Sequence, residues 1–249
     1  EFLCSHLQFN EVCALVKHFC PEAAHFACAE AGFVLFYAYL QWLGGMYHAP
    51  RRHTGNRNAA AASAPPYAVG CPDDVRELAN DPEVTRWLRW TPHKDVAETQ
   101  ELLSAWALLY PNEDYYQWAI VEKATGQVFG SISIFTSSSV EPERDPWPGF
   151  DHSNGVWEVG YCIGRAWWGK GYTTEALNAL VEYWFKNTDS NWLACSHAVE
   201  NPASGKVMMK AGFVYDHEAA YHKFDGTAIP CRCYALTREH YESLYSPNE

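Results

Sequence analysis

Trp157-Glu-Val-Gly-Tyr-Cys-Ile-Gly164 runs into Arg165-Ala-Trp-Trp-Gly-Lys-Gly-Tyr-Thr-Thr-Glu-Ala176, and then into an amphipathic run that ends at Phe185 and Lys186. The first part, from Val156 to Gly164, has strand composition: Val, Trp, Tyr and Ile, with no proline. The last part carries Ala176, Leu177, Leu180, Val181, Trp184 and Phe185, at steps of 1, 3, 1, 3 and 1 residues. That spacing lays them on one face of a helix beginning near Thr173. Between strand and helix stands Gly169-Lys170-Gly171. Two glycines let the backbone turn tightly and approach a ligand without a β-carbon in between. The unpaired N–H groups of the next helical turn then face that ligand, at the positive end of the helix dipole. Strand, glycine turn and helix together form a candidate phosphate cradle.

The cradle is neither of the two common kinds. No Gly-x-x-x-x-Gly-Lys-Ser/Thr is present, and the third glycine of a Gly-x-Gly-x-x-Gly dinucleotide turn is missing. The wider wording is more specific. Glu158-Val-Gly-Tyr-Cys-Ile163 followed by Trp167-Trp-Gly-Lys-Gly-Tyr-Thr-Thr-Glu-Ala176 resembles motif A of the GNAT acetyltransferases, and within them the RimJ/RimL branch of ribosomal-protein-alanine N-acetyltransferase-like proteins. Ala166 stands where the broader superfamily has Gln or Arg, which leaves the glycines as the pyrophosphate-binding part. Downstream, Asn201-Pro-Ala-Ser204 leads through Val207, Met208 and Lys210 to Ala211-Gly-Phe213. This is similar to the family's Asn-x-x-Ser/Ala…Lys-x-Gly-Phe element. Its local physics agrees: Asn201 is a good N-cap, Pro202 suits the first helical position, and Gly212 suits the left-handed residue after a helix.

The resemblance implies an α+β fold, a mixed and mostly antiparallel sheet of about six or seven strands flanked by helices. It covers about residues 73–244. In order along the chain come two short helices in 73–90, a helix over 95–109, and a hairpin of 115–123 and 127–135 turning at Ala124-Thr-Gly126. The central unit is next. After it come a strand over 192–199, the Asn201 helix, a hairpin of 213–224 and 228–236 around Asp225-Gly226, and a short helix from Thr237. Residues 137–154 read as a long loop. Trp and Arg residues of 86–90 either shape an acceptor cleft or are core tryptophans and solvated arginines.

Residues 1–70 read differently, as an N-terminal extension and linker ahead of an acetyltransferase domain at 71–246. Ala23 to Tyr47 is mostly apolar, yet its uninterrupted part, Ala31 to Leu40, is shorter than the ~20 residues a membrane span needs. No basic segment precedes it, so neither a secretory signal nor a membrane segment is expected. Residues 48–66, with three prolines and an alanine run, read as linker. The strand that opens the domain in the resembling family is missing before Asp73. Either Gly32 to Leu40 replaces it or the domain lacks it. The linker composition predicts that residues up to about Pro65 can be removed without loss of cofactor binding, unless that segment supplies the strand.

The net charge is −12, from 18 Lys/Arg against 30 Asp/Glu. Residues 1–70 are balanced at four of each, so the acidity lies beyond them. An acidic domain lacks the basic footprint of a nucleic-acid binder and suits a cationic acceptor. The nine cysteines match neither a zinc spacing nor a Cys-x-x-Cys redox pair. They read as reduced thiols of a cytoplasmic protein, with no metal expected.

Acetyl transfer to an amine needs a base for the ammonium proton, a donor for the oxyanion and a proton for the leaving thiolate. As the resemblance has it, the co-substrate is acetyl-CoA and the acceptor a primary amine, on a protein N-terminus or a small molecule. Attack is direct, in a ternary complex. The alternative is a non-catalytic acyl-CoA-binding module. Glu158 is the base candidate, with His197 or a water chain as competitors. Ser204 is the acid candidate, or simply a helix residue satisfying the backbone. Met208 occupies the position where other members carry a tyrosine acid. Asn201 caps its helix and could also hold cofactor or water. Cofactor contacts fall to Tyr161, Cys162 and Ile163 on the strand, where main-chain groups of Tyr161 and Ile163 face the pantetheine, and to Trp168, Gly169, Lys170, Gly171, Tyr172 and Thr173 at the turn. Whether the chain is a monomer or a homodimer is open.

Overall fold

The computed structural model describes residues 33–36, 72–109, 114–122, 127–136, 147, 149–153 and 155–245. Seven strands form one sheet: β1 (Phe33–Phe36), β2 (Tyr115–Glu122), β3 (Val128–Thr136), β4 (Trp157–Ile163), β5 (Trp192–Ala198), β6 (Val214–His222) and β7 (Ala228–Thr237). The helices are α1 (Pro72–Ala79), α2 (Pro82–Thr85), α3 (Val96–Leu109), α4 (Tyr172–Asn187), α5 (Pro202–Lys210) and α6 (Arg238–Tyr245). The spatial order is β1-β2-β3-β4-β5-β7-β6. Only β4 and β5 run parallel; every other neighbouring pair is antiparallel. Helix α4 is the crossover that a parallel pair requires. The expected mixed, mostly antiparallel sheet is therefore what forms, and each element lies within a few residues of its sequence reading. The Ala124–Gly126 turn and residues 137–146 lie outside the described residues.

Strand alternation divides the side chains between two faces. Val159, Ile163, Leu193 and Cys195 pack beneath α4 with Leu177, Leu180, Val181 and Trp184, and Met208 of α5 joins them. Ala194 belongs to the opposite face, where it packs with Trp147, Tyr221, Cys231 and Cys233. Further along that second face, Ala119, Val121 and Val128 pack with Val75 of α1 and Leu103 of α3. The second face thus has two separate cores with the middle of the sheet open between them.

Strand β1 stands in for the missing opening strand. Phe33 to Phe36 pair antiparallel with Glu122 to Ala119. A short segment of the extension therefore forms the sheet edge beside β2, which is the case excepted from the expected removability of residues up to about Pro65. Deleting those residues bares the β2 edge, and an unpaired edge is a template for association.

Candidate functional site

The parallel seam between β4 and β5 is short. The two strands pair only at Glu158 with Ala194 and at Val159 with Cys195. Beyond that point they part, while β5 stays paired to β7 as far as Ala198. On the other side β4 pairs with β3 along its whole length. The Gly164 N–H bonds the Phe129 carbonyl at 2.8 Å, which fixes which residues point their main-chain groups at β3. By the period of two, Cys162 and Gly160 do so, and Tyr161 and Ile163 point into the open seam. The Ile163 carbonyl is already used there, accepting from Trp168 Nε1 at 2.8 Å. Trp168 itself is half-exposed.

The glycine turn closes one end of the seam. Gly169 and Gly171 have φ of +72° and +90°, and α4 starts at Tyr172 with no side chain capping it. The first-turn N–H groups of α4 are thus left without an intrahelical acceptor. Gly169, Gly171 and Thr173 border the same cleft as Glu158 and Ser204. A β-carbon added at Gly169 or Gly171 would meet nothing within 4 Å. Lys170 and Tyr172 point elsewhere. The Lys170 ammonium lies 5.1 Å from the Trp167 ring centre, and the Tyr172 ring packs on Phe129 and Trp167.

The whole cleft encloses about 860 Å³. On the second face, its floor is made by Tyr115, Gln117, Ser133, Phe135 and Glu158, all on strands whose alternation brings them to one side. Glu158 is buried, and its Oε1 accepts from Ser196 Oγ at 2.9 Å. Ser196 sits two residues beyond Ala194 and so shares its face. Trp87, Arg89 and Trp90 line the rim. The rim is tied to the β6–β7 hairpin: Tyr221 OH donates to the Trp87 carbonyl at 2.6 Å, the Phe224 N–H to the Arg89 carbonyl at 2.8 Å, and Lys223 Nζ to the Thr85 carbonyl at 3.1 Å. Trp87, Arg89 and Trp90 thus line the cleft.

On the first face, α5 lies against β4 and β5. Asn201 caps it, its side chain accepting from the Ser204 N–H at 3.4 Å, with Pro202 opening the helix and Gly212 left-handed at φ +88° after it. Ser204 Oγ lies 2.9 Å from Tyr161 OH, which also reaches the Ser204 carbonyl at 3.0 Å. Burial lifts the Tyr161 phenol well above its ordinary pKa, and the charge on a Cys195 thiolate would add to this; the bond with Ser204 only partly offsets them. His197 is buried on this face. Its Nδ1 lies 2.7 Å from the Ala198 carbonyl, and its Nε2 has no hydrogen-bond partner. Burial lowers its pKa, against the raising effect of the Ala198 carbonyl. Cys162 Sγ lies 3.2 Å from Ser131 Oγ, on the Glu158 side. Among the described residues, no group of three or more His, Cys, Asp and Glu could hold a metal ion, and no helix is long and apolar enough to cross a membrane.

The structure thus gathers Glu158, Tyr161, Cys162, Ile163, Trp168, Gly169, Gly171, Thr173, Asn201 and Ser204 around one cleft, and leaves Lys170 and Tyr172 off its lining. A model of the acetyltransferase (GNAT) domain matches residues 71–214. The chain belongs to the GNAT acetyltransferase family. Among related GNAT sequences is the "uncharacterized N-acetyltransferase p20" of Bacillus licheniformis, 28% identical over 174 residues, covering 68% of this chain and 88% of that one. Spermidine N-acetyltransferase from Vibrio cholerae, solved with CoA and spermine, aligns with a TM-score of 0.54 at 16% identity, over 71% of this chain and 95% of that one. RimL, a ribosomal L7/L12 alpha-N-protein acetyltransferase solved with coenzyme A, aligns with a TM-score of 0.54 at 16% identity, over 69% and 91%. At these identities the solved structures share the GNAT fold with this chain.

The sequence reading left out two partnerships. Ser196 as the neighbour of Glu158 follows from strand parity once the β4–β5 register is known, but the register is not written in either strand. The sequence assigns Tyr161 a role for its main chain and none for its hydroxyl. One further contact was also missed. A β-carbon on Gly205 would lie 2.5 Å from His197 Nε2 and 3.0 Å from two ring carbons. The ring cannot easily yield, since Nδ1 is bonded and Tyr234 packs beside it at 5.4 Å. Gly205→Ala is expected to destabilise the protein by up to about 2 kcal/mol. An overpacking cost of about 1–3 kcal/mol outweighs a helix-propensity gain of about 1. Urea unfolding checks this; a more stable variant would show that α5 simply shifts.

Proposed function

We propose that the chain is an N-acetyltransferase that carries an acetyl group from acetyl-CoA to a primary amine by direct attack, in a RimJ/RimL-like manner. The observation that carries this reading is the open β4–β5 seam, with Glu158 on one face, Ser204 on the other and the glycine turn at its end. The thioester of acetyl-CoA supplies the electrophile and the leaving sulfur. The glycine turn and the first-turn N–H groups of α4 suit its pyrophosphate, and the seam-facing N–H and C=O of Tyr161 and N–H of Ile163 suit its pantetheine amides. The trough over Glu158 suits the acceptor.

Glu158 takes the proton that the amine must lose. As the nitrogen bonds to the acetyl carbon, the carbon–sulfur bond breaks and its electron pair leaves on sulfur. Ser204 gives that sulfur a proton and recovers one from water in the cleft, while Glu158 returns its own to solvent. His197 is a poorer base, because its ring is buried on the α5 side with Nε2 against Gly205. Residues 71–246 form the catalytic domain in this reading, with β1 of the extension completing its sheet. The acceptor is a protein N-terminus or a small amine, and nucleic acid is not a partner. A cytoplasmic setting belongs to the same reading.

Calorimetry with acetyl-CoA and thiol release over a panel of amines and N-terminal peptides test the proposal. Binding together with amine-dependent thiol release is expected. Binding without turnover by any amine would favour a non-catalytic acyl-CoA module; neither binding nor release would refute the reading.

A further inference from the structure

We infer that Tyr161 is the positioning residue for Ser204, holding the serine's proton until the thioester sulfur arrives and then turning it toward the seam. The inference rests on the acetyl-transfer reading and on Ser204 serving the leaving sulfur. It comes from two contacts of one part-buried hydroxyl. Tyr161 OH stands 2.9 Å from Ser204 Oγ and 3.0 Å from the Ser204 carbonyl.

A phenol has one proton to give, and so does a serine. Two arrangements use these contacts. In the first, Tyr161 donates to the Ser204 carbonyl and accepts the serine proton on its own oxygen. Both protons are then satisfied within the protein, which suits the enzyme before acetyl-CoA binds. In the second, Tyr161 donates to Ser204 Oγ. The serine proton is then released toward the seam, and the phenol stabilises Oγ as that proton departs. The change needs only hydroxyl rotations, with no movement of α5.

The phenol orients and does not relay. Burial raises its pKa well above the ordinary value, so passing its own proton to serine would leave a phenolate in a buried site. Electrostatics there favours the neutral form. Tyr161 therefore keeps its proton throughout, and the serine refills from water. The arrangement also gives a chain with Met208 at the family's tyrosine position a phenol beside the leaving group, reached from the neighbouring strand rather than from the helix.

The test compares Tyr161→Phe, Ser204→Ala and the double variant in full-length protein. Y161F keeps the ring, and its melting temperature is expected to stay within a few degrees. Its kcat should fall about 10-fold, the scale of one well-placed hydrogen bond. The KM for acetyl-CoA and the calorimetric Kd for CoA should stay within about twofold. S204A should fall further, and the double variant should be no slower than S204A, because the phenol has then lost the group it positions. Two results overturn the inference while leaving acetyl transfer intact: Y161F at the wild-type rate beside an impaired S204A, or independent, multiplying losses in the double variant. A Y161F protein that fails to fold also overturns it, since the hydroxyl would then be holding α5 in place. Wild-type protein without thiol release would instead refute the reading beneath it, and S204A at full rate would remove Ser204 from the chemistry.

Discussion

Glu158→Gln is expected to lower kcat/KM for the amine by about 10²–10⁴-fold, the usual worth of a positioned general base. The change is nearly isosteric. The amide oxygen of Gln can still accept from Ser196 Oγ, which now bonds Oε1 at 2.9 Å, so the floor of the trough keeps its shape. What is lost is the power to take a proton. Acetyl-CoA affinity should be untouched, because the glycine turn lies at the other end of the seam. Steady-state kinetics and calorimetry on one preparation separate these effects. A variant with full activity would remove Glu158 from the chemistry and return the role of base to a water chain. Equal loss of cofactor affinity would mean that the carboxylate shapes the seam. The non-catalytic alternative makes a different forecast, since a protein without turnover has none to lose at Glu158 or Ser204.

Reading the sequence located the site better than it described the partners inside it. Gly169, Gly171 and the Asn201-Pro202 start are local devices: a left-handed turn and a helix cap are written in residues adjacent to one another. The same holds for the apolar stripe of α4, six residues of which lie in the core. Contacts between strands are another matter. That Glu158 meets Ser196, or that Tyr161 reaches Ser204, depends on a register formed by residues 36 or more positions apart in sequence, and on where β4 and β5 part. Strand composition carries no record of either. The edge strand Phe33–Phe36 failed in legibility for a related reason. Its apolar run looks the same whether it pairs with β2 or not, and only the pairing tells a replacement strand from an appendage. In a turn neighbouring side chains diverge: those of Lys170 and Tyr172 lie on Trp167 and Phe129, which leaves their main chain for a ligand at the turn.

Gly171→Val should nearly abolish acetyl-CoA binding in a protein that remains folded. The residue sits at φ +90° and ψ −12°, where a β-branched side chain is strained by roughly 1–3 kcal/mol. That cost falls on stability. The second effect falls on the ligand. Nothing in the protein lies within 4 Å of a β-carbon at this position, so the valine would project into the open cleft at the mouth of α4, where the pyrophosphate is proposed to lie. Two or three hydrogen bonds to a charged group, at about 1.5–3 kcal/mol each, would be lost. The sum, roughly 3–9 kcal/mol, corresponds to an increase in Kd of about 10²–10⁶-fold. Gly149→Val separates the two effects. Gly149 has φ +92° and equally open surroundings, yet it does not border the cleft. Its valine variant should therefore carry similar strain and keep wild-type cofactor affinity. Calorimetry on both, beside thermal melts, decides the matter. If the two variants melt alike and only Gly171→Val loses acetyl-CoA, the turn binds phosphate. Retained affinity in a folded Gly171→Val protein would place the pyrophosphate elsewhere and leave the glycine needed for the backbone alone.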